Sequence, residues 1–138
     1  MIPYGKQNII KKDIKAVTDV LKSSFLTQGP ITPKFEDGLK DYCKANFAVA
    51  VVNATSALHI SCLALGVKKG DFVWTSPVSF VASANAALYC GAEVDFVDID
   101  LDSYNMCVNS LEEKLINAKK KGKLPKVVIP GHLARRPR

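Results

Sequence analysis

The sequence predicts an α/β fold in which helices cross over between parallel strands. From residue 47 onward, short apolar runs alternate with segments of helical spacing. The resulting order, strand, helix, strand, helix, strand, helix, strand, is typical of a parallel sheet covered by helices. Two further helices precede the first strand, so the expected order is two leading helices and then βαβαβαβ. With 138 residues, the chain is expected to form one domain at most.

The two leading helices are predicted from apolar spacing. Isoleucine, valine and leucine recur three or four residues apart over residues 10–21, with lysine and aspartate between them. The segment SFLTQGPIT then interrupts the pattern with a glycine and a proline. A second helix is predicted from Thr32 or Pro33. Its apolar face is expected to carry Phe35, Leu39 and Tyr42 or Cys43. Pro33 suits a first turn, whereas Gly38 weakens a helix interior.

The strands and crossover helices follow in order from Phe47. The predicted strands are FAVAVV, FVWTSP, EVDFVDI and KVVIP, and the predicted helices are TSALHISCLAL, SFVASANAALYC and NSLEEKLINAKKK. Continuous apolar strands indicate a sheet buried on both faces. Asn109 or Ser110 is expected to cap the last helix, with Glu112 and Glu113 in its first turn.

The net charge of +6 does not by itself predict a nucleic-acid partner. Half of it comes from arginines in the last four residues, and several lysines gather around the end of the last helix, where cations complement the dipole. These lysines are Lys114, Lys119, Lys120, Lys121, Lys123 and Lys126. Nucleic-acid binders usually add interleaved aromatics or a helical reader. Neither is found in the sequence, so we expect a solvated face and no nucleic-acid partner.

The sequence also lacks membrane and secretion signals. No apolar run approaches the roughly 18 residues of a membrane span, and the start, MIPYGKQNIIKKD, has no apolar secretory core. We therefore expect a cytoplasmic protein without a membrane partner.

The four cysteines, 19, 28 and 17 residues apart, do not have the close spacing of zinc or redox motifs. Each has apolar neighbours, which favours buried free thiols, and no metal is expected. They are Cys43, Cys62, Cys90 and Cys107.

Candidate chemistry lies where strands enter helices, because open α/β sheets bind ligands beyond the carboxyl ends of their strands. In VVNATSAL, the small residues Ala54, Thr55 and Ser56 either hold an anion with free N–H groups and hydroxyls, or belong to a simple helix cap made by Asn53 or Thr55. Spacing favours the two interpretations equally. The second junction contributes Ser76, Ser79 and Phe80, and Phe80 either stacks on a flat ring or belongs to the core.

The third junction carries three alternating aspartates, Asp98, Asp100 and Asp102. Their place beside a turn favours bonds to local backbone N–H groups over acid–base chemistry. No hydrolase elbow, P-loop or dinucleotide fingerprint is found in the sequence.

Three longer stretches share a family pattern: LTQGPITPKFEDGLKDYC, VVNATSALHISCLALGV and FVWTSPVSFVASANAALYCGAEVDFVDID. In this order, from about residue 2 to residue 133, the chain resembles the DegT/DnrJ/StrS-type nucleotide-sugar aminotransferases. These are fold-type-I enzymes that use pyridoxal 5′-phosphate (PLP), with a large domain built as a three-layer α/β/α sandwich. PYGKQNI, NATSALH and SPVSFVASAN most resemble the branch that makes UDP-4-amino-4,6-dideoxy-N-acetyl-β-L-altrosamine, a reaction of pseudaminic acid synthesis.

The resemblance implies roles for individual residues. Ala54, Thr55 and Ser56 match the turn that holds the PLP phosphate, and Phe80 matches the aromatic that stacks on the pyridine ring. The residues expected near the sugar nucleotide are Tyr4, Leu26, Thr27 and Gly29. The family works as a homodimer, with sites at the subunit interface.

The reaction implied by the resemblance moves an amino group, usually from glutamate, to a nucleotide-linked keto sugar. The lysine that holds PLP as a Schiff base and the aspartate on the ring nitrogen match no residue here, so this chain is expected to lack catalytic residues and activity of its own. Two alternatives stay open: a PLP-dependent sugar dehydratase of the same family, and a non-catalytic α/β module that binds a phosphorylated ligand.

The resemblance also predicts domain organisation and strand order. Residues 1–134 match the N-terminal portion of the large domain, whereas 135–138 depart from the pattern as an aberrant basic tail. FVWTSP is expected between EVDFVDI and KVVIP, with FAVAVV not beside it. The resulting gap in the sheet predicts unpaired edges, exposed apolar faces and poor folding of this chain alone.

Overall fold

The computed structural model describes residues 5–132. The chain divides into two compact units, Met1–Ala50 and Val51–Arg138. Among the described residues, no helix is long and apolar enough to cross a membrane.

The first unit contains the two predicted leading helices, α1 (Lys11–Leu21) and α2 (Ile31–Cys43). The Asp13 carboxylate accepts a hydrogen bond from the Ile10 N–H at 3.0 Å, which satisfies a donor at the start of α1. Helix α2 is followed by its C-cap Lys44, whose φ of 53° lies in the left-handed region that stops a helix. Neither helix buries a residue, although each has an amphipathic pattern.

The second unit has the predicted alternation of helices and strands. Its elements are α3 (Ala54–Ala64), β1 (Phe72–Thr75), α4 (Ala82–Tyr89), β2 (Glu93–Phe96), α5 (Val108–Lys120) and β3 (Val127–Ile129). The strands form a parallel sheet in the order β2-β1-β3, so the expected central place of FVWTSP is confirmed. Thr75 pairs with Phe96 on one side and Ile129 on the other, which aligns the carboxyl ends of the three strands.

The core lies on both faces of β1, because successive strand side chains point to opposite faces. Val73 packs with Cys62 of α3 and Ala87 of α4. Trp74 packs on the other side with Val97 and with Ala118 of α5. Helices therefore cover both faces of the sheet, as the α/β prediction requires.

The predicted first strand, FAVAVV, is wrong for this structure. Residues 47–52 have no strand conformation, and Phe47, Val49 and Val52 are 88%, 75% and 87% exposed. A strand is defined by a hydrogen-bonded neighbour, and the sheet of the described residues offers this segment none. The apolar pattern predicts the conformation that a partner would stabilise, but it cannot supply the partner.

Two smaller predictions are also corrected. Helix α5 begins at Val108 with Cys107 at its N-cap, so Asn109 and Ser110 lie in its first turn instead of capping it. Consequently Glu112 and Glu113 fall outside that turn. All four cysteines are free, but only Cys62 is buried; Cys43 is exposed, and the thiols of Cys90 and Cys107 are half-buried.

Candidate cofactor site

The first turn of α3 has the geometry of a capped helix start. Asn53 is extended, and its side-chain oxygen accepts a hydrogen bond from the Ser56 N–H at 2.8 Å. Its carbonyl accepts from the Ala57 N–H at 3.1 Å. The cap interpretation is therefore correct, but the cap does not satisfy every backbone N–H group of the first turn. The N–H groups of Ala54 and Thr55 have no acceptor within the helix, so they are available to an anion.

Helices α3 and α4 cover the same face of the sheet, since Cys62 and Ala87 pack together on Val73. The chain leaves α3 and enters β1 at its amino end, where Lys126 donates to the Gly66 carbonyl at 2.5 Å. The first turn of α3 therefore points toward the carboxyl edge. Helix α4 follows the carboxyl end of β1. Both helix starts thus face the edge at which open α/β sheets bind ligands.

A pocket of about 190 Å³ lies between β1 and the start of α4. Its lining includes Ser76, Ser79, Phe80, Ser83 and Phe96. Ser76 is only 3% exposed, and its hydroxyl has no hydrogen-bond partner in residues 5–132. The Ser79 and Ser83 hydroxyl oxygens lie 3.3 Å apart. The pocket therefore combines hydroxyl groups with aromatic surface.

Phe80 is 75% exposed at the rim of the α4 start and belongs to neither core cluster of the described residues. Its ring is free to cover a flat ligand. The sequence pattern alone did not reveal Ser83, which lies one helical turn beyond Ser79. The i, i+4 spacing of Ser79 and Ser83 places both side chains on one face of a helix, and this spacing could have identified Ser83 from the sequence.

The third junction does not support acid–base chemistry. Asp98 accepts from the Ile99 N–H at 3.0 Å, and Asp100 accepts from the Ser103 N–H at 2.9 Å and the Ser103 hydroxyl at 2.7 Å. These bonds hold the loop between β2 and α5. The local-turn interpretation is confirmed for both aspartates.

Two ion pairs join residues of the second unit that are far apart in sequence. Lys126 binds Asp71 at 3.1 Å, and this hydrogen bond lowers the pKa of the Asp71 carboxyl. For Asp95, burial raises the pKa, but the hydrogen bond from Lys114 and a backbone N–H outweigh it, so the pKa is lowered overall. Neither pair lines the Phe80 pocket. Part of the predicted lysine face therefore has a structural role.

The predicted substrate residues lie in the first unit. Leu26 and Thr27 are exposed in the connection between α1 and α2. A Cβ at Gly29 would come within 3.1 Å of the Phe25 backbone carbonyl oxygen, so packing already explains this glycine. Tyr4 lies outside the described residues. The substrate roles of these residues stay predictions.

The chain matches the family model described as "DegT/DnrJ/EryC1/StrS aminotransferase family" over residues 7–137. The chain belongs to this family. The sequence resemblance is thereby confirmed, and the three-layer arrangement agrees with solved aminotransferases of the same fold.

Among curated members of the DegT/DnrJ/EryC1/StrS family, a Campylobacter jejuni UDP-4-amino-4,6-dideoxy-N-acetyl-β-L-altrosamine transaminase is 44% identical over 116 residues, which are 84% of this chain and 30% of the relative. The Shewanella sediminis UDP-4-amino-4-deoxy-L-arabinose–oxoglutarate aminotransferase is 35% identical over 96% of this chain and 33% of the relative. The chain thus spans about a third of the length of these relatives.

Comparison with solved structures also finds aminotransferases, each matched over about a third of its own length. Helicobacter pylori PseC, an aminotransferase of pseudaminic acid biosynthesis, has a TM-score of 0.80 at 33% identity, covering 93% of this chain and 33% of its own. The PMP-form of Spr1654 from Streptococcus pneumoniae has a TM-score of 0.82 at 30% identity, covering 96% of this chain and 32% of its own. Spr1654 is also solved in a PLP-form. PLP is therefore the cofactor that the family indicates, as the sequence predicted.

The residues of the second unit fit such a cofactor. PLP carries a phosphate dianion and a flat aromatic ring. The first turn of α3 supplies unused N–H donors and two hydroxyls, which suit the phosphate. The exposed Phe80 ring at the same edge of the sheet suits the pyridine ring.

Proposed function

We propose that this chain is the phosphate- and ring-binding part of a PLP-dependent aminotransferase that acts on a nucleotide-linked keto sugar. One observation carries the proposal: in a chain of this family, unused helix N–H donors and an exposed aromatic ring face the same carboxyl edge of the sheet. When bound, PLP supplies an electron sink for amino-group transfer. The family relatives support the sugar-nucleotide class of substrate.

The residues of this chain bind the cofactor and orient it. The N–H groups of Ala54 and Thr55, with the hydroxyls of Thr55 and Ser56, hold the phosphate through charge-assisted hydrogen bonds. Phe80 covers one face of the ring and excludes water from it.

The substrate is proposed to be a UDP-linked keto hexosamine, as in pseudaminic acid synthesis, with glutamate as amino donor. The Campylobacter and Helicobacter relatives support this class. Tyr4, Leu26, Thr27 and Gly29 are proposed to contact the sugar nucleotide. We also propose that the whole protein is a cytoplasmic homodimer, and that residues 1–134 form the N-terminal portion of its large domain.

Cofactor binding is tested by calorimetric titration with pyridoxamine 5′-phosphate. This form lacks the aldehyde of PLP, which would react with any of the 16 lysines of the chain. We expect Thr55→Ala and Ser56→Ala each to weaken binding about tenfold, because each removes a hydrogen bond to a charged group. Ser61→Ala is the matched control, since the Ser61 hydroxyl donates to the Ala57 carbonyl of its own helix, at 2.8 Å. Equal weakening by all three variants would contradict the phosphate assignment.

The reaction is tested on the protein that carries this sequence, supplied with PLP, ¹⁵N-glutamate and a UDP-linked 4-keto hexosamine. Mass spectrometry should show the keto oxygen replaced by a ¹⁵N amino group. A product that has lost water and gained no nitrogen would identify the dehydratase instead.

A further inference from the structure

Two cysteines that lie 28 residues apart in the sequence are placed on neighbouring helices. Cys62 belongs to the last turn of α3 and is 2% exposed, whereas Cys90 is the C-cap of α4. Both helices begin at the carboxyl edge of the sheet, so both end at its amino edge. Cys90 packs against the core cluster that contains Cys62. The fold therefore brings together two thiols that the sequence spacing did not identify as a pair.

An aromatic contact shows which sides of α3 and α4 face each other near their ends. The His59 and Tyr89 ring centroids are 5.3 Å apart, with the rings edge to face. Cys62 lies three residues after His59 and therefore shares its face of α3. Cys90 directly follows Tyr89 at the end of α4. The Cys62 and Cys90 side chains therefore lie along the same seam between the two helices.

The two thiols differ in their access to solvent. Cys90 is half-buried, so a small molecule reaches its sulfur first, whereas Cys62 is enclosed by the core. Burial raises the pKa of the Cys62 thiol, and the charge of a nearby Cys90 thiolate raises that pKa further. Cys62 is therefore a poor nucleophile toward molecules in solvent, but it lies beside any group that forms on Cys90.

We propose that Cys62 and Cys90 are a dithiol modification site, which a low-molecular-weight disulfide of the glutathione type oxidises to a protein disulfide. The Cys90 thiolate first attacks one sulfur of the small disulfide, whose S–S bond breaks and releases one thiolate. The Cys62 thiolate then attacks the Cys90 sulfur of this mixed disulfide and releases the second thiolate. The two protons lost by the cysteines go to the two released thiolates. The protein gives up two electrons, and the small disulfide accepts them.

The test treats the full chain, carrying Cys43→Ser and Cys107→Ser, with glutathione disulfide and reduced glutathione at a series of ratios. These substitutions leave the proposed pair as the remaining cysteines. Cys107 is replaced because hydrogen bonding with Ser110 lowers the pKa of its thiol, which would form an adduct of its own. Peptide mass spectrometry should show Cys62 joined to Cys90, and excess reduced glutathione should reverse the bond. Separate glutathione adducts on the two cysteines, or two cysteines that stay reduced, would overturn the inference.

Single replacements in the same background identify the order of attack. Cys62→Ser should stop at a stable glutathione adduct on Cys90, because no second thiol is present to release it. Cys90→Ser should leave Cys62 reduced, because the core encloses it. An adduct that forms on Cys62 as fast as on Cys90 would contradict this order. Circular dichroism checks that each serine replacement keeps the helix content of the unaltered chain.

Unfolding separates a pair that the fold creates from chance pairing in a flexible chain. At one ratio of glutathione disulfide to glutathione, the folded chain should favour the Cys62–Cys90 disulfide about tenfold or more over the chain in urea. Because a bond favoured by the fold must in turn stabilise the fold, the oxidised chain should melt several degrees above the reduced chain. An equal or greater preference in urea, or a lower Tm after oxidation, would overturn the inference. No cofactor takes part in the reaction, so its failure would leave the proposed function unaffected.

Discussion

At the scale of single residues, the structure adds hydrogen bonds and side-chain exposure that the sequence alone did not show. The sequence marked Asn53–Ser56 as a candidate anion site or a cap, and the structure shows the cap together with unused donors. It named Phe80 but could not decide between core and ring contact, because exposure depends on tertiary packing. It placed Ser76 at the second junction but could not show that its hydroxyl lacks a partner among the described residues, since the neighbouring Thr75 has a similar side chain and a partner on another strand.

The carboxyl of Asp71 provides a residue-scale prediction. The hydrogen bond from Lys126 lowers the pKa of this carboxyl in the folded chain. In the unfolded chain the pKa of an aspartate is about 3.9, so the folded chain binds the proton less tightly. The pair therefore stabilises the fold above about pH 4, and the contribution is lost as pH falls through the lower folded pKa. In Lys126→Met, the Asp71 pKa measured by ¹³C NMR should rise toward its ordinary value.

Lys69→Met is the control for this titration, because Lys69 is an exposed neighbour of the same turn. An Asp71 pKa that stays low in Lys126→Met, or that rises equally in Lys69→Met, would contradict the role of the pair.

At the scale of elements, the sequence predicted most of the second unit. Three of its apolar runs became strands of one parallel sheet, and the helical segments between them became α4 and α5. Local periodicity is sufficient there because both partners of each pairing belong to the described chain. The run FAVAVV does not form a strand, because the described residues offer it no neighbouring strand to pair with. The N-cap of α5 at Cys107 was missed because a cap depends on the entering loop as well as on residue type.

Glycines at the ends of elements give the element-scale prediction. Gly91, between α4 and β2, has a φ of 75°, and a Cβ there would meet only ordinary contacts at 3.7 Å from Lys69. Gly91→Ala should therefore lower the free energy of unfolding by about 1 kcal/mol through backbone strain alone. Gly38→Ala, inside α2 with open space around it, should instead increase the helicity of α2, because glycine disfavours a helix interior by about 0.5–1 kcal/mol. Urea unfolding measures the effect of Gly91→Ala and far-ultraviolet circular dichroism that of Gly38→Ala; an unchanged unfolding midpoint in the first variant, or lower helicity in the second, would contradict the argument.

At the scale of the whole molecule, the two units differ in how much they bury. The second contains both core clusters, whereas α1 and α2 contain no buried residue. Apolar side chains such as Ile14, Val17 and Phe35 are 59%, 61% and 57% exposed. Helices of 11 and 13 residues without tertiary packing are marginal in water, because nucleation is costly and each residue adds little.

Hydrogen–deuterium exchange of the 138-residue chain should therefore be uneven. Amides of β1, which is hydrogen-bonded on both sides and buried from Val73 to Thr75, should exchange most slowly. Amides of α1 and α2 should exchange near the rate of an unstructured peptide. A dye that binds exposed apolar surface should also fluoresce with the native chain. The contrary result would be equal protection of α1 and β1, no dye binding and one sharp melt. It would show that the exposed apolar faces are covered in solution. It would also contradict the predicted poor folding of this chain alone.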